Sequence, residues 1–283
     1  MRRQRAALTC PDNKVMLTTV PSTALTPTTG RFLAFDTSTD RMSIGVSDGA
    51  QQWLHEGAGG PLSSATLIPA ILQLLADAGL RLDQLDAIAF GRGPGSFTGL
   101  RTACAVAQGL ALGAGVPVLP VDSLLALVEE ARFQWALNNS VPQTITALLD
   151  ARMDEMYVQH FRLGSGTCHA LAPCVLVRPE ALQLSVMLQS AKGSDSESKH
   201  GLAGNVFEVY AARLTALPTD CPRLTALPGA TAMLRLAPAM LAAGAALDAS
   251  QALPLYIRDK VALTTDERAE VKRQALLENV NPS

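Results

Sequence analysis

A glycine-rich loop between a predicted strand and a predicted helix is the part of the sequence with the clearest chemical potential. Residues 91–101 read GRGPGSFTGLR and follow the short apolar run 87–90. Glycines let the backbone approach another group closely, and the free amide groups at the start of a helix favour an anion. The loop is therefore predicted either to bind a phosphate or carboxylate, or to be a tight turn whose small residues allow close packing.

A second polar turn, residues 36–39 (DTST), follows the apolar strand predicted at 32–35. Its carboxylate, hydroxyls and turn amides could join an anion or nucleotide site, or they could close the strand as an Asx turn. Arg101 could bind a phosphate or form a structural ion pair. The candidate anion or nucleotide loop comprises Asp36, Thr37, Ser38, Gly93, Gly95, Ser96, Thr98, Gly99 and Arg101.

Several catalytic motifs are excluded by the sequence. A P-loop needs a lysine after its last glycine, and no lysine occurs between Lys14 and Lys192. The GxGxxG and GxSxG spacings also fail in the glycine-rich loop. No two of the four histidines are spaced i, i+4: they are His55, His160, His169 and His200. We therefore predict no catalytic residue and no metal site.

Composition limits the function classes. The chain of 283 residues is 48% hydrophobic and 17% charged, which predicts a folded protein, and its formal net charge of −2 provides no global field for a polyanion such as RNA. Five cysteines without a CxxC pair favour reduced thiols and hence the cytoplasm. No apolar run approaches the roughly 20 residues that span a bilayer, so we predict no membrane contact.

Helices are predicted on both sides of the glycine-rich loop. The i, i+3, i+4 spacing of aliphatic residues predicts one helix over 64–78, and a small-residue stripe predicts a second from Thr102 to about 112. A later Ala/Leu-rich helix over 230–247 is expected to be kinked or split at Pro238. Residues 1–30 lack a periodic apolar pattern and are predicted to be a disordered extension, a transit leader, or upstream sequence preceding a true start at Met16.

The sequence also contains a short internal repeat. Residues 34–44 align without gaps on residues 148–158, pairing Asp36 with Asp150. Two strand-Asp-turn-strand units predict two related lobes.

Three motifs together resemble the TsaB (YeaZ) family: the glycine-rich loop, FDTST at 35–39 and DARMDEMY at 150–157. The resemblance is strong from Arg31 to Tyr157, thin afterwards, and returns at 254–258 (PLYIR). It implies an α/β, actin-like ATPase (ribonuclease H-like) fold with two related lobes, each a mixed sheet flanked by helices. The expected domains are a first lobe at 31–135, a second lobe at 144–258 whose C-terminal part returns to the first, and a tail at 259–283.

The resemblance further implies a non-catalytic subunit that pairs with TsaD and, with the ATPase TsaE, supports threonylcarbamoyl transfer to adenosine 37 of ANN-decoding tRNAs. It implies that tRNA is reached through the complex, that the complex uses ATP and Mg²⁺, and that this chain binds no cofactor tightly. Many family members have a histidine where this chain has Ser63. Any role of that histidine in the family is therefore not assigned to this chain. Two alternatives remain: an autonomous ATP-dependent small-molecule kinase of the same fold, and a metal-dependent glycoprotease-like protein.

The helices on either side of the glycine-rich loop are predicted to form the face for the TsaD-like partner or for a homodimer, because both carry small or aliphatic stripes. The predicted contact residues are Leu67, Ile71, Leu74, Ala103, Ala107 and Ala111.

Overall fold

The structure, a computed structural model, describes residues 30–164, 168–184, 199–214, 217–218 and 221–258. These residues form two mixed β-sheets with helices between them and on their outer faces. The predicted N-terminal extension up to residue 29 and the predicted C-terminal tail, residues 259–283, lie outside the described part of the chain.

The first sheet combines an antiparallel meander with two parallel strands. β2 pairs antiparallel with β1 and β3, whereas β4 lies parallel to β1 and β5 parallel to β4. All residues of the central strand β1 are buried, as expected for a strand covered on both faces. The strand order is β3-β2-β1-β4-β5, with β1 Phe32–Asp36, β2 Arg41–Ser47, β3 Gln52–Ala58, β4 Ala87–Gly93 and β5 Val118–Asp122.

The second sheet repeats this arrangement. Here β7 is antiparallel to β6, β10 is parallel to β6, and β11 is parallel to β10. Both β8 and β9 pair with β7 and together take the place of one edge strand. The repeat confirms the predicted two related lobes of an actin-like ATPase fold. The strands are β6 Thr144–Arg152, β7 Glu155–Leu163, β8 Cys168–Ala170, β9 Val175–Val177, β10 His200–Gly204 and β11 Arg223–Thr225.

Helices cover both faces of the first sheet and fill the space between the sheets. α1 and α2 pack on the outer face of the first sheet. Its inner face packs on α5, and α3 covers the inner face of the second sheet while also contacting α5. The bounds are α1 Ser63–Asp77, α2 Phe97–Ala114, α3 Ser123–Leu137, the single turn α4 Val206–Val209, and α5 Ala230–Ala242.

Two predicted helix boundaries are wrong. α2 begins at Phe97 rather than Thr102, because Ser96 caps it by accepting a hydrogen bond from the Gly99 amide. α5 continues through Pro238 and ends at Ala242, since its buried residues pack on the first sheet along its length. None of the described helices is both long enough and apolar enough to cross a bilayer.

The predicted pairing of Asp36 with Asp150 is also wrong, although the lobes do repeat. Asp36 lies on the inner face of the first sheet, on the side of Phe32 and Ala34. Asp150 shares the outer face of the second sheet with Leu148 and accepts a hydrogen bond from Tyr210 at 2.7 Å. A shift of one residue along a strand moves a side chain to the opposite face, so the gapless alignment is out of register.

A buried ion network joins α3 to α5 between the two sheets. The Arg235 side chain is 3% exposed, and it binds Glu129 at 2.9 Å and Glu130 at 2.6 Å. Arg132 also binds Glu129, at 2.7 Å, and the Arg235 guanidinium lies 4.3 Å from the ring centre of Phe133. Because α5 packs on the first sheet and α3 on the second, this network links the two lobes.

Candidate functional site

A cleft of about 560 Å³ lies between the two lobes. The first lobe contributes the polar turn at 38–40 and the start of α2. The second contributes residues 150–153, which form the end of β6 and the beginning of the turn to β7, together with Asn205. A third wall is the segment 255–258. The cleft therefore brings together the polar turns that the sequence singled out, one from each lobe.

Of the predicted anion-site residues, Ser38, Gly95 and Ser96 line this cleft. The others are placed differently. Asp36, Thr37, Gly93 and Gly99 are buried beneath the cleft wall. Thr98 and Arg101 are exposed on α2. Anion binding at this loop stays a prediction, supported by three cleft-lining positions.

Each glycine of the loop is required by close packing within the chain. A Cβ at Gly91 would lie 1.9 Å from the Asp36 carboxylate, and one at Gly99 would lie 1.8 Å from the Thr37 carbonyl oxygen. At Gly95 it would lie 2.5 Å from the Ser38 carbonyl oxygen. The loop amide of Ser96 donates to that same Ser38 oxygen at 2.7 Å. The glycine content of the loop thus follows from the packing of the two polar segments on each other.

Asp36 forms an Asx turn. Its Oδ1 accepts hydrogen bonds from the Ser38 amide at 2.8 Å and from the Ser38 hydroxyl at 2.7 Å. Burial raises the pKa of this carboxyl to about 6, although the bonds from Ser38 oppose the shift. The side chain is 1% exposed and does not line the cleft. Asp36 is therefore positioned to stabilise the turn.

The turn between β6 and β7 holds three successive non-glycine residues, Arg152, Met153 and Asp154, at positive φ. Such residues occupy this region at an energetic cost and need support from their surroundings. Arg152 reaches across the cleft to Asp40 at 3.7 Å and also contacts Asp150 at 3.8 Å. Met153 is 62% exposed. The second lobe thus presents a strained, exposed turn to the cleft.

The segment Ala252–Arg258, here called the strap, crosses from the first lobe to the second. Ala252 packs in the core beneath α2, whereas the Arg258 guanidinium donates to the carbonyl oxygens of Ala151 and Arg152 at 3.3 Å each and pairs with Glu155. The segment belongs to neither sheet. The sequence reveals the PLYIR motif but does not show that the motif joins the lobes, because the residues that it contacts lie about 100 residues or more away along the chain.

Arg101 packs against aromatic side chains at the mouth of the cleft. Its guanidinium carbon lies 3.8 Å from the Phe97 ring centre, and its Nε donates to the Tyr256 hydroxyl at 3.1 Å. The ring centres of Phe97 and Tyr256 lie 5.0 Å apart. Stacking on an aromatic face suits an arginine, so in this structure Arg101 holds the strap.

The six residues predicted to contact a partner are buried in the core, so that prediction is wrong for these side chains. Each is at most 1% exposed and packs against the first sheet: Leu67, Ile71, Leu74, Ala103, Ala107 and Ala111. Regular apolar spacing along a surface helix marks the face that covers its own sheet. The opposite face of α1 and α2 is exposed to solvent.

That opposite face is apolar and carries small side chains on α2. On α2 it carries Ala105, Gly109, Leu112 and Gly113, all exposed, with Leu112 at 78%. A Cβ at Gly109 or Gly113 would meet open space. Neighbouring α1 adds Ile68 and Leu72, which are 41% and 49% exposed. These six residues are called the docking face below.

The second sheet holds a histidine cluster that the sequence spacing did not reveal. The Thr146 hydroxyl lies 2.6 Å from His160 and 2.9 Å from His200, and Thr144 lies 2.8 Å from His200. Strands β6, β7 and β10 bring these residues together from distant parts of the chain. No group of three or more metal-ligating side chains occurs in the part of the chain that the structure describes.

This cluster predicts a loss of stability in acid. Burial lowers the pKa of His200 to about 4 and also lowers that of His160, whereas an unfolded histidine titrates near 6.5. The contribution of His200 is therefore present above pH 6.5 and lost between pH 6.5 and 4, by up to about 3 kcal/mol. Urea unfolding at pH 7 and 4.5 should show a smaller acid loss for His200→Gln than for the wild type. Equal losses would contradict this, and His169→Gln, at an exposed site, is the control.

Comparison with known proteins shows similarity in sequence across most of the chain. The family model described as "TsaD: tRNA N6-adenosine threonylcarbamoyltransferase" matches residues 61–271. The Escherichia coli "tRNA threonylcarbamoyladenosine biosynthesis protein TsaB" is 29% identical over 82% of this chain and 96% of its own length. The Haemophilus influenzae protein of the same name is 40% identical, but that match covers 44% of this chain and about half, 51%, of the Haemophilus protein.

Two solved structures also resemble this chain over most of its length. YeaZ from Pseudomonas aeruginosa is 33% identical, with a TM-score of 0.67, over 80% of this chain and 99% of that one. A P. aeruginosa protein described as similar to peptidase YEAZ is also 33% identical, with a TM-score of 0.69, over 81% of this chain and all of that one. These likenesses extend over both lobes.

Proposed function

Because the chain belongs to the TsaB (YeaZ) family, we propose that it is the non-catalytic subunit of a tRNA threonylcarbamoyltransferase complex in the cytoplasm. In this proposal it pairs with a TsaD-like protein and, with a TsaE-like ATPase, supports threonylcarbamoyl transfer to adenosine 37 of ANN-decoding tRNAs. The tRNA, ATP and Mg²⁺ are bound by the complex, and this chain holds no cofactor tightly.

The docking face is the observation that supports a subunit role. Glycine inside a helix costs about 0.5–1 kcal/mol relative to alanine, and neither Gly109 nor Gly113 is required by packing within this chain. Small residues on an exposed helix let another backbone approach closely. Together with exposed Leu112, they give a surface suited to a helix of a second chain.

The non-catalytic role is supported by how the polar turns are used. The Asp36 carboxyl is buried and hydrogen bonded to Ser38, and the Ser96 amide donates to the Ser38 carbonyl. The Thr37 hydroxyl donates to the Gly99 carbonyl oxygen at 2.8 Å. The Ser38 amide, the Ser96 amide and the Thr37 hydroxyl, three donors that could face a phosphate, are thus engaged within the chain. We therefore propose that this lobe serves as a scaffold for its partner.

Ala105→Arg tests the docking face. Ala105 is exposed on α2, and arginine is a good helix former, so the fold should persist. In the complex, the arginine would be an unpaired charge buried at the interface, and it should weaken binding of the TsaD-like partner at least about hundredfold. Co-purification from cells expressing both chains measures this loss. Ala107→Arg would not test the docking face, because Ala107 lies in the core.

Val141→Arg is the matched control, since it places the same charge at an exposed apolar position in the loop before β6. It should leave co-purification unchanged. Recovery of the partner by Ala105→Arg at the wild-type level, with an unchanged melting temperature, would reject the docking face.

A further inference from the structure

We propose that the strap couples α2 to the β6–β7 turn, so that loosening the strap at α2 loosens the strained turn in the other lobe. The coupling is a property of this chain alone. Its use when a partner binds rests on the function proposed above, because the strap and the docking face share α2.

The α2 end of the strap is held by one stripe of the helix. The Ala252 carbonyl oxygen accepts hydrogen bonds from Gln108 at 2.8 Å and Cys104 at 3.1 Å. Arg101 and Phe97 continue the same stripe and hold Tyr256. Positions 97, 101, 104 and 108 are spaced by four, three and four residues, which places them in one row along a helix. One side of α2, from Phe97 to Gln108, therefore contacts the strap.

The middle of the strap is fixed against the glycine-rich loop. The Leu255 amide donates to the Arg92 carbonyl oxygen at 2.7 Å. A Cβ at Gly93 would lie 2.5 Å from the Leu255 carbonyl oxygen, so the two backbones are in direct contact. A shift of the strap along its length must break this hydrogen bond.

The far end of the strap supports the strained turn. Arg258 donates to the Ala151 and Arg152 carbonyl oxygens, contacts the Met153 sulfur at 3.0 Å and pairs with Glu155. Its side chain is 14% exposed. Residues held at positive φ depend on such surrounding contacts, so release of Arg258 should let the turn open.

The strap is also placed to sense a docked chain. Leu253 and Tyr256 are 68% and 41% exposed. Ala105 and Gly109 of the docking face directly follow the strap-binding residues Cys104 and Gln108 along α2. A chain seated on the docking face would therefore contact the same helix that holds the strap.

Hydrogen–deuterium exchange of the isolated chain tests the coupling. Arg258→Gln should speed exchange of the amides at 151–156 roughly tenfold, because it removes the charged donor that holds the turn. Gln108→Ala, on α2, should speed exchange of the same amides roughly threefold although Gln108 does not contact them. Gln73→Ala removes a side-chain hydrogen bond from the exposed face of α1 and should leave the turn unchanged.

Faster exchange confined to the strap in Gln108→Ala, with the turn at the wild-type rate, would overturn the proposal. So would a wild-type exchange rate of the turn in a folded Arg258→Gln chain. Because no partner is present, these results do not depend on whether the chain binds a TsaD-like protein, which co-purification decides separately.

Discussion

Replacing Arg235 with methionine is expected to lower the free energy of unfolding by about 3–5 kcal/mol, because it leaves the buried carboxylate of Glu129 and the partly buried carboxylate of Glu130 without their shared cation. Glu129 is 5% exposed and keeps one partner, Arg132, whereas Glu130 loses its ion pair with Arg235. Methionine fills a similar volume, so the loss would reflect charge rather than a cavity. Equilibrium urea unfolding at pH 7 measures it.

The matched control is Arg81→Met, which breaks an exposed ion pair with Asp83 in the first lobe. Exposed pairs contribute little to stability because water and salt screen them. If both variants lost the same free energy of unfolding, the buried network would not link α3 to α5 as described.

Gly99→Ala is expected to lower the free energy of unfolding by at least about 3 kcal/mol, because the added Cβ overlaps the backbone of the polar turn. It would lie 1.8 Å from the Thr37 carbonyl oxygen and 2.9 Å from the carbonyl carbon, and neither atom can rotate away. The displaced turn would also lose the hydrogen bond from the Thr37 hydroxyl to the Gly99 carbonyl. Thermal and urea unfolding report this change.

Gly109→Ala makes the same substitution in the same helix but in open space. It should raise the free energy of unfolding by about 0.5–1 kcal/mol, since alanine is the better helix former. Opposite signs for the two variants are the expected result. A similar change in both would mean that the loop glycines are not fixed by the packing of the polar turn.

The sequence was sufficient to predict β1, β4 and α1 because those elements follow from local patterns, whereas the two-lobed fold rested on the internal repeat and on the family resemblance. Apolar runs between turn residues predicted β1 and β4, and regular spacing predicted α1. The start of α2 was predicted too late because Gly99 was assigned to a loop, whereas it lies in the first turn of a helix capped by Ser96. Helix boundaries depend on such single hydrogen bonds.

The site was harder to predict because its contacts join distant parts of the chain. Gly93 meets Leu255, and Arg258 meets Ala151, across more than 100 residues. The regular stripe of Ala103 and its neighbours indicates the core rather than a partner face. The proposed docking face rests instead on the glycines at 109 and 113, which packing within the chain does not require.

Reconstitution with purified proteins tests the central claim most directly. Formation of threonylcarbamoyladenosine on an ANN-decoding tRNA would be measured with this chain alone, with the TsaD-like and TsaE-like proteins alone, and with all three. Every mixture would contain an activated threonylcarbamoyl donor, ATP and Mg²⁺. We predict product with all three proteins, little without this chain or with Ala105→Arg, and neither tRNA modification nor ATP hydrolysis by this chain alone. Turnover by the isolated chain, or full activity of its partners without it, would contradict the proposed role.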